Sequence, residues 1–201
     1  MNSPSTPHAP AALRSEAIQE FLGVLHRIHP ELCQMDATGV RSSPHFALRT
    51  RTLTVPRLDC SSLNDRDLAA FSVLEHLIGD LVIRDNPALA CLDGLRNLET
   101  ITGRLELINC GVRELCGLTR LQQAKDLVIE DMAELISISG CTALALVEQI
   151  RISGNPLLQR ISGLTNLAGI DAGSLTIKDN PTLSSVCGLA GLTSVRNGLA
   201  I

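Results

Sequence analysis

From Leu81 to the C-terminal end, aliphatic residues recur in a phrase of about 24 residues, with successive lengths of 24, 22, 23, 25 and 24. Each phrase opens with two aliphatic residues at alternate positions: Leu81/Ile83, Leu105/Leu107, Leu127/Ile129, Ile150/Ile152 and Leu175/Ile177. Alternation is strand periodicity, with one side chain in two pointing inward. A polar turn follows, rich in Asp, Asn and Pro, as at Asp85-Asn86-Pro87, Asn155-Pro156 and Asp179-Asn180-Pro181. A second aliphatic residue then stands two positions before a glycine, at Leu92/Gly94, Leu115/Gly117, Ile138/Gly140, Ile161/Gly163 and Val186/Gly188. Three more columns complete the phrase. They are Leu95, Leu118, Cys141, Leu164 and Leu189; Leu98, Leu121, Leu144, Leu167 and Leu192; and Ile101, Ala124, Val147, Ile170 and Val195.

One such line has no core of its own and buries its aliphatic side chains only by stacking on its neighbours. The pattern therefore predicts a mostly β chain: a right-handed parallel β-helix, or leucine-rich-repeat-like solenoid, with rungs ~4.8 Å apart. Most length variation falls between the last column and the next first strand, so one corner is variable while the faces are fixed, because a one-residue slip would turn a strand inside out. Leu68, Phe71, Leu74 and Leu77 fit the later columns, and Leu53-Thr54-Val55 reads as an earlier first strand, giving a first rung over 53–80. Leu199-Ala200-Ile201 opens a further line, so 53–201 reads as a solenoid cut short at its C-terminal end.

Upstream the period changes. Ala17, Ile18, Phe21, Leu22, Leu25 and Ile28 follow helical spacing and precede Pro30, which predicts an amphipathic helix of three to four turns. Its expected place is over the open end of the solenoid, where strand edges would otherwise be bare. Residues 13–52 thus read as a helical cap and linker, and the Ser/Pro-rich residues 1–12 as disordered.

Composition narrows the chemistry. The core is aliphatic, with three Phe and no Tyr or Trp among 201 residues, and the net charge is −4. Residues 1–80 carry 7 basic and 9 acidic side chains and residues 81–201 carry 10 and 12, so no segment forms a phosphate-tracking surface and nucleic acid is not an expected partner. No apolar run approaches the ~20 residues of a membrane span. The N-terminal residues lack the basic and apolar regions of a secretory signal, and no Asn-x-Ser/Thr sequon occurs. Seven cysteines, at 33, 60, 91, 110, 116, 141 and 187, include no C-x-x-C pair. Cys33 with Cys60 is the one pair considered for a bridge; Cys116 and Cys187 share a column three rungs apart, roughly 14 Å, beyond the ~7 Å Cα separation a disulfide permits.

Several clusters invite a functional reading. The Asn column (Asn86, Asn155, Asn180, with Cys110 and Met132 substituting) reads as structural, its side chains satisfying turn N–H and C=O groups. Asp85, Asp131 and Asp179 alternate with Asn109 and Gly154, too sparse a carboxylate set for the six to eight oxygens of calcium. His26, His29 and Cys33 share helical spacing, but Pro30 interrupts the face, so no zinc site is expected. No cofactor is expected either. The remaining candidate is the outward side of the first strand, where Arg84, Glu106, Glu130, Arg151 and Lys178 form a mixed-charge ladder. This ladder is the candidate binding face, with arginine as its expected anchor in the absence of Tyr and Trp. The variable corner, at Thr102-Gly103-Arg104 and Asp171-Ala172-Gly173-Ser174, is the alternative.

The phrase L-x-I-x-x-N-P-x-L-x-x-[LIV]-x-G-L-x-x-L-x-x-[IV], best matched by residues 81–104, 150–174 and 175–198, resembles the rung of the receptor L-domain family found in insulin-receptor and epidermal-growth-factor-receptor ectodomains. The resemblance covers about 53–201 and implies a non-catalytic module that binds a protein or glycan, as part of a cell-surface protein. It implies no catalytic residues. A close competitor is the ordinary leucine-rich repeat, fully fitted by Val147 to Leu157, which implies an intracellular scaffold. A polysaccharide-acting β-helix enzyme is the remaining class. Such chemistry needs converging acids and bases, often on long loops, and the short corners here supply neither.

Overall fold

The computed structural model describes residues 11–30, 45–47, 51–170, 173–196 and 198–200. Seven strands stack in parallel to form the main sheet: β2 (Thr52–Ser61), β3 (His76–Asn86), β5 (Arg104–Cys110), β6 (Asp126–Glu130), β8 (Gln149–Ser153), β11 (Leu175–Lys178) and β13 (Leu199–Ala200). Register follows the sequence columns. Leu81 pairs with Leu105, then Leu127, Ile150, Leu175 and Leu199, while Ile83 pairs with Leu107, then Ile129, Ile152 and Ile177. Two narrower ladders complete each turn. One joins β7 (Ser137–Ile138) to β9 (Arg160–Ile161), with single bridges from Glu114 and to Ser185. The other runs through β4 (Thr100–Ile101), Gln123 and Leu146, and joins β10 (Gly169–Ile170) to β12 (Ser194–Val195). The chain is a parallel β-solenoid of about five turns, as the periodicity predicts.

The first rung differs from its expected form. Leu58 and Cys60, not Leu53 and Val55, pair with Leu81 and Ile83, whereas Leu53 pairs with Leu77 in the last column. The rung that precedes Leu81 therefore begins at Leu58, and Leu53 and Val55 close a rung before it. A register shift between Thr54 and Arg57 separates the two segments and disguises the boundary, because both halves keep strand alternation. In place of the polar turn this rung carries α2 (Asp65–Ala69) and a 3₁₀ turn, Ala70–Val73. Asn64 caps α2 by accepting the Asp67 N–H, while the Asp67 carboxylate accepts the Asn64 N–H. That capping box, Asn-x-x-Asp, is the signal the column reading passes over.

The amphipathic helix is present as α1 (Ala11–Ile28), five turns long and beginning inside the segment expected to be disordered; residues 1–10 lie outside the described residues. Phe21 and Leu25 are buried, and the Phe21 ring meets Phe71 edge-on at 5.3 Å between centroids. Arg27 pairs with Asp67, and Nε2 of His29 lies 2.7 Å from the Asp59 carbonyl oxygen and 3.0 Å from its amide nitrogen. The helix thus packs on the first rung, and β1 (His45–Ala47) pairs antiparallel with β2 at the edge of the sheet.

Inside, the columns form one continuous core: Leu92, Leu115, Ile138, Ile161, Leu118, Leu164, Leu121, Leu144 and Leu167 are all inaccessible to solvent. The invariant glycine two residues beyond the second aliphatic column has a steric cause. A Cβ at Gly140 would stand 1.7 Å from the Leu115 carbonyl oxygen, so the rungs approach too closely there for any side chain. A backbone reason also explains the Asp column. Ser62, Asp85, Asn109, Asp131, Gly154 and Asp179 occupy one corner and all have φ between 49° and 67°. Asp, Asn and Gly enter this left-handed conformation more readily than other residues, so those carboxylates mark a turn.

Candidate binding face

The alternation that sends Leu81 and Ile83 inward sends three columns outward. The ladder expected from sequence resolves into two of them. Arg84, Ile108, Glu130, Ser153 and Lys178 stand in one; Asp59, Val82, Glu106, Val128, Arg151 and Thr176 stand in the next. A third column, Arg104, Asp126 and Gln149, lies one residue before the first aliphatic position. Arg104 of the variable corner therefore belongs to the sheet. The corner residues Asp171 and Ala172 lie outside the described residues.

The charges on this face are interleaved. Arg84 grips Asp59 with two nitrogens, at 3.0 and 2.7 Å, and Arg104 Nε donates to Asp126 Oδ2 at 3.0 Å. The other contacts are looser: Arg57 to Asp59 at 3.6 Å, Arg104 to Glu106 at 3.7 Å, Arg57 to Glu106 at 3.9 Å and Arg151 to Glu130 at 3.8 Å. Glu130 also accepts the Ser153 hydroxyl at 2.9 Å. These arginines are about half exposed, so each pair other than Arg104–Asp126, whose carboxylate is buried, contributes roughly 0–1 kcal/mol to stability.

The relief of the face is uneven. Val82 is outward yet fully buried, and the Arg57–Glu106 contact spans its rung. Val128, two rungs on in the same column, is only half-buried and lies in a depression of about 210 Å³. Arg104, Glu106, Asp126, Glu130 and Arg151 surround it, with Ser174 and Thr176 on the far side. Asp126 is 5% exposed, and its Oδ1 is a buried side-chain oxygen with no hydrogen-bond donor among the described residues.

Elsewhere the candidate clusters have structural roles. The Asn column bonds rung to rung, as expected. Asn86 Nδ2 donates to the Cys60 carbonyl, Asn155 Nδ2 to that of Ile129 and Asn180 Nδ2 to that of Ile152, while their Oδ1 atoms accept the N–H of Leu63, Met132 and Asn155. Among the described residues no group of three or more His, Cys, Asp or Glu side chains is placed to hold a metal ion, and no helix is long and apolar enough to cross a membrane.

Six cysteines are free thiols, Cys60 among them; its considered partner Cys33 lies outside the described residues. Burial pushes the Cys141 thiol up to about 12 and raises that of Cys60 further, and burial followed by the Asp93 charge raises that of Cys116. Cys116 and Cys187 are exposed. Under native conditions both are expected to react with iodoacetamide well before Cys60 and Cys141, which react on unfolding. Peptide mapping that finds Cys141 labelled first, or a Cys116–Cys187 link, would contradict the stacking order.

Fold and site together define a β-solenoid with one charged, gently relieved sheet surface. No protein-family model, curated protein or solved structure matches the chain.

Proposed function

We propose that the protein is a non-catalytic recognition module of receptor L-domain type, part of a cell-surface protein, which binds a protein or glycan ligand through the outward face of its main sheet. The carrying observation is the run of seven parallel strands, which lays outward side chains side by side on consecutive rungs and sums small patches into one continuous surface about 29 Å across. Arg151 is the anchor best placed for a partner, being 56% exposed and only loosely held by Glu130. Arg84, expected from sequence to share that role, is already committed to Asp59.

Arrays of peptides and glycans probed with the parent and with the Arg84→Glu/Arg151→Glu double variant test this reading. The variant is expected to lose its array ligands by tenfold or more, roughly what removing one or two interface anchors costs. Its β-rich circular dichroism and melting temperature should stay nearly unchanged, since both pairs are exposed. Retained binding in this variant, with loss on changing Leu146, exposed on another side of the solenoid, would move the site off the sheet.

A further inference from the structure

We infer that the depression over Val128 receives one neutral hexose ring of a glycan ligand, held through its hydroxyl groups. The inference rests on the sheet serving as the binding face and assigns the ligand class of one site within it.

The charges around the depression cancel. Glu106, Asp126 and Glu130 line it together with Arg104 and Arg151, and Arg57, which contacts Glu106, makes the count three against three. Asp126 is buried and bonded to Arg104, so it is out of a guest's reach. A charged ligand would bring a charge that nothing in this balanced set offsets.

Hydrogen-bonding capacity, by contrast, is left open, and in both senses. The side chains of Glu106, Gln149, Arg151, Ser174 and Thr176 make no hydrogen bond to any described residue. The cations nearest Glu106 stand 3.7 and 3.9 Å away, and Arg151 stands 3.8 Å from Glu130, all beyond hydrogen-bonding distance. Glu106 only accepts, Arg151 only donates, and the Gln149 amide and the two hydroxyls do both. A carboxylate or guanidinium guest would satisfy one kind of group and leave the other facing it. A sugar hydroxyl donates and accepts, and a hexose carries several around one ring, where a serine or asparagine side chain of a protein partner brings a single polar group.

Size and floor agree with a single ring. At about 210 Å³ the depression is smaller than the ~300–1,000 Å³ of drug-sized ligand sites. Val128 and Ile108 give it a half-buried apolar floor for the ring's C–H groups. Val82 holds the same column position as Val128 but is completely covered, so the face offers no second copy of the site there. The chain has no Tyr or Trp to stack on a sugar, so affinity rests on hydrogen bonds and is expected on the order of 1 mM for one ring.

The test is a nuclear magnetic resonance titration of the intact protein with the methyl glycosides of glucose, mannose and galactose. The methyl glycosides of glucuronic acid and glucosamine are the charged controls. Saturable shifts of the Val128, Gln149 and Thr176 amides are expected with at least one neutral glycoside, unchanged by added salt. Gln149→Leu and Thr176→Val each remove one open polar group from the surface and should each weaken binding roughly three- to tenfold, as loss of one hydrogen bond does. Val128→Phe fills the depression without touching a charge and should abolish the shifts while the β-rich circular dichroism is retained. Absence of shifts with all three neutral glycosides, tighter binding of either charged control, or parental affinity in Gln149→Leu or Thr176→Val would each overturn the inference. A silent titration beside loss of array ligands in the Arg84→Glu/Arg151→Glu variant would remove the sugar site and leave the binding face standing.

Discussion

Leu164→Asp is expected to abolish the cooperative urea transition of the repeat region. Leu164 is inaccessible to solvent in the column of Leu95, Leu118, Cys141 and Leu189, with neighbouring rungs above and below. A carboxylate there meets neither water nor a hydrogen-bond donor. Its penalty is comparable to the ~5–15 kcal/mol that holds a domain folded. In a solenoid each rung is stabilised chiefly by its neighbours, so the damage spreads to the rungs on both sides. Leu164→Ala keeps the column apolar and should cost about 2–5 kcal/mol through lost burial and the cavity left behind. Leu189→Asp provides a graded control, because Leu189 is only partly buried. A Leu164→Asp variant that melts at the parental urea concentration would refute the column assignment.

Legibility in the sequence follows the strength of the physical constraint. The stacked columns were readable because every rung must place an aliphatic residue at the same height, and the register between β3 and β11 follows those columns residue for residue. The first rung is not, since the shift between Thr54 and Arg57 leaves alternation intact on both sides, and α2 and the 3₁₀ turn after it place Leu68 and Phe71 in the core with helical geometry. The outward charges are visible in the sequence as a set, but their pairing is not. Which of Arg84 and Arg151 is held more loosely depends on Asp59, a residue of the rung whose start the register shift hides. Asp126 is illegible for a related reason: nothing in its one-dimensional context distinguishes a buried carboxylate from a solvated corner residue. Its burial comes from neighbours 22 and 23 residues away, Arg104 and Gln149, which only the register brings together.

Substitutions at Asn155 test the other element that holds the rungs in register. The side chain is fully buried and works in both directions along the stack. Its Oδ1 accepts the Met132 N–H at 3.0 Å, and its Nδ2 donates to the Ile129 carbonyl at 3.3 Å and to Asn180 Oδ1 at 2.9 Å. Asn155→Ala strands a buried donor on one rung and a buried acceptor on it as well, each costing about 1–3 kcal/mol, for a total of roughly 2–6 kcal/mol. Asn155→Met should recover part of that loss, because the chain already contains the precedent: at Met132 the Sδ atom accepts the Cys110 N–H at 3.4 Å, where the N–H groups of Leu63, Met132 and Asn155 use an Asn oxygen. Asn155→Asp keeps the acceptor but replaces the donor with a second acceptor, setting a carboxylate against the Ile129 carbonyl and Asn180 Oδ1, and should destabilise most of the three. The order expected from urea melts is therefore parent, Met, Ala, Asp. Hydrogen exchange at the Met132 amide should accelerate in the Ala variant by more than in the Met variant. An Ala variant as stable as the parent would show that the Asn column decorates the turn without bonding the rungs.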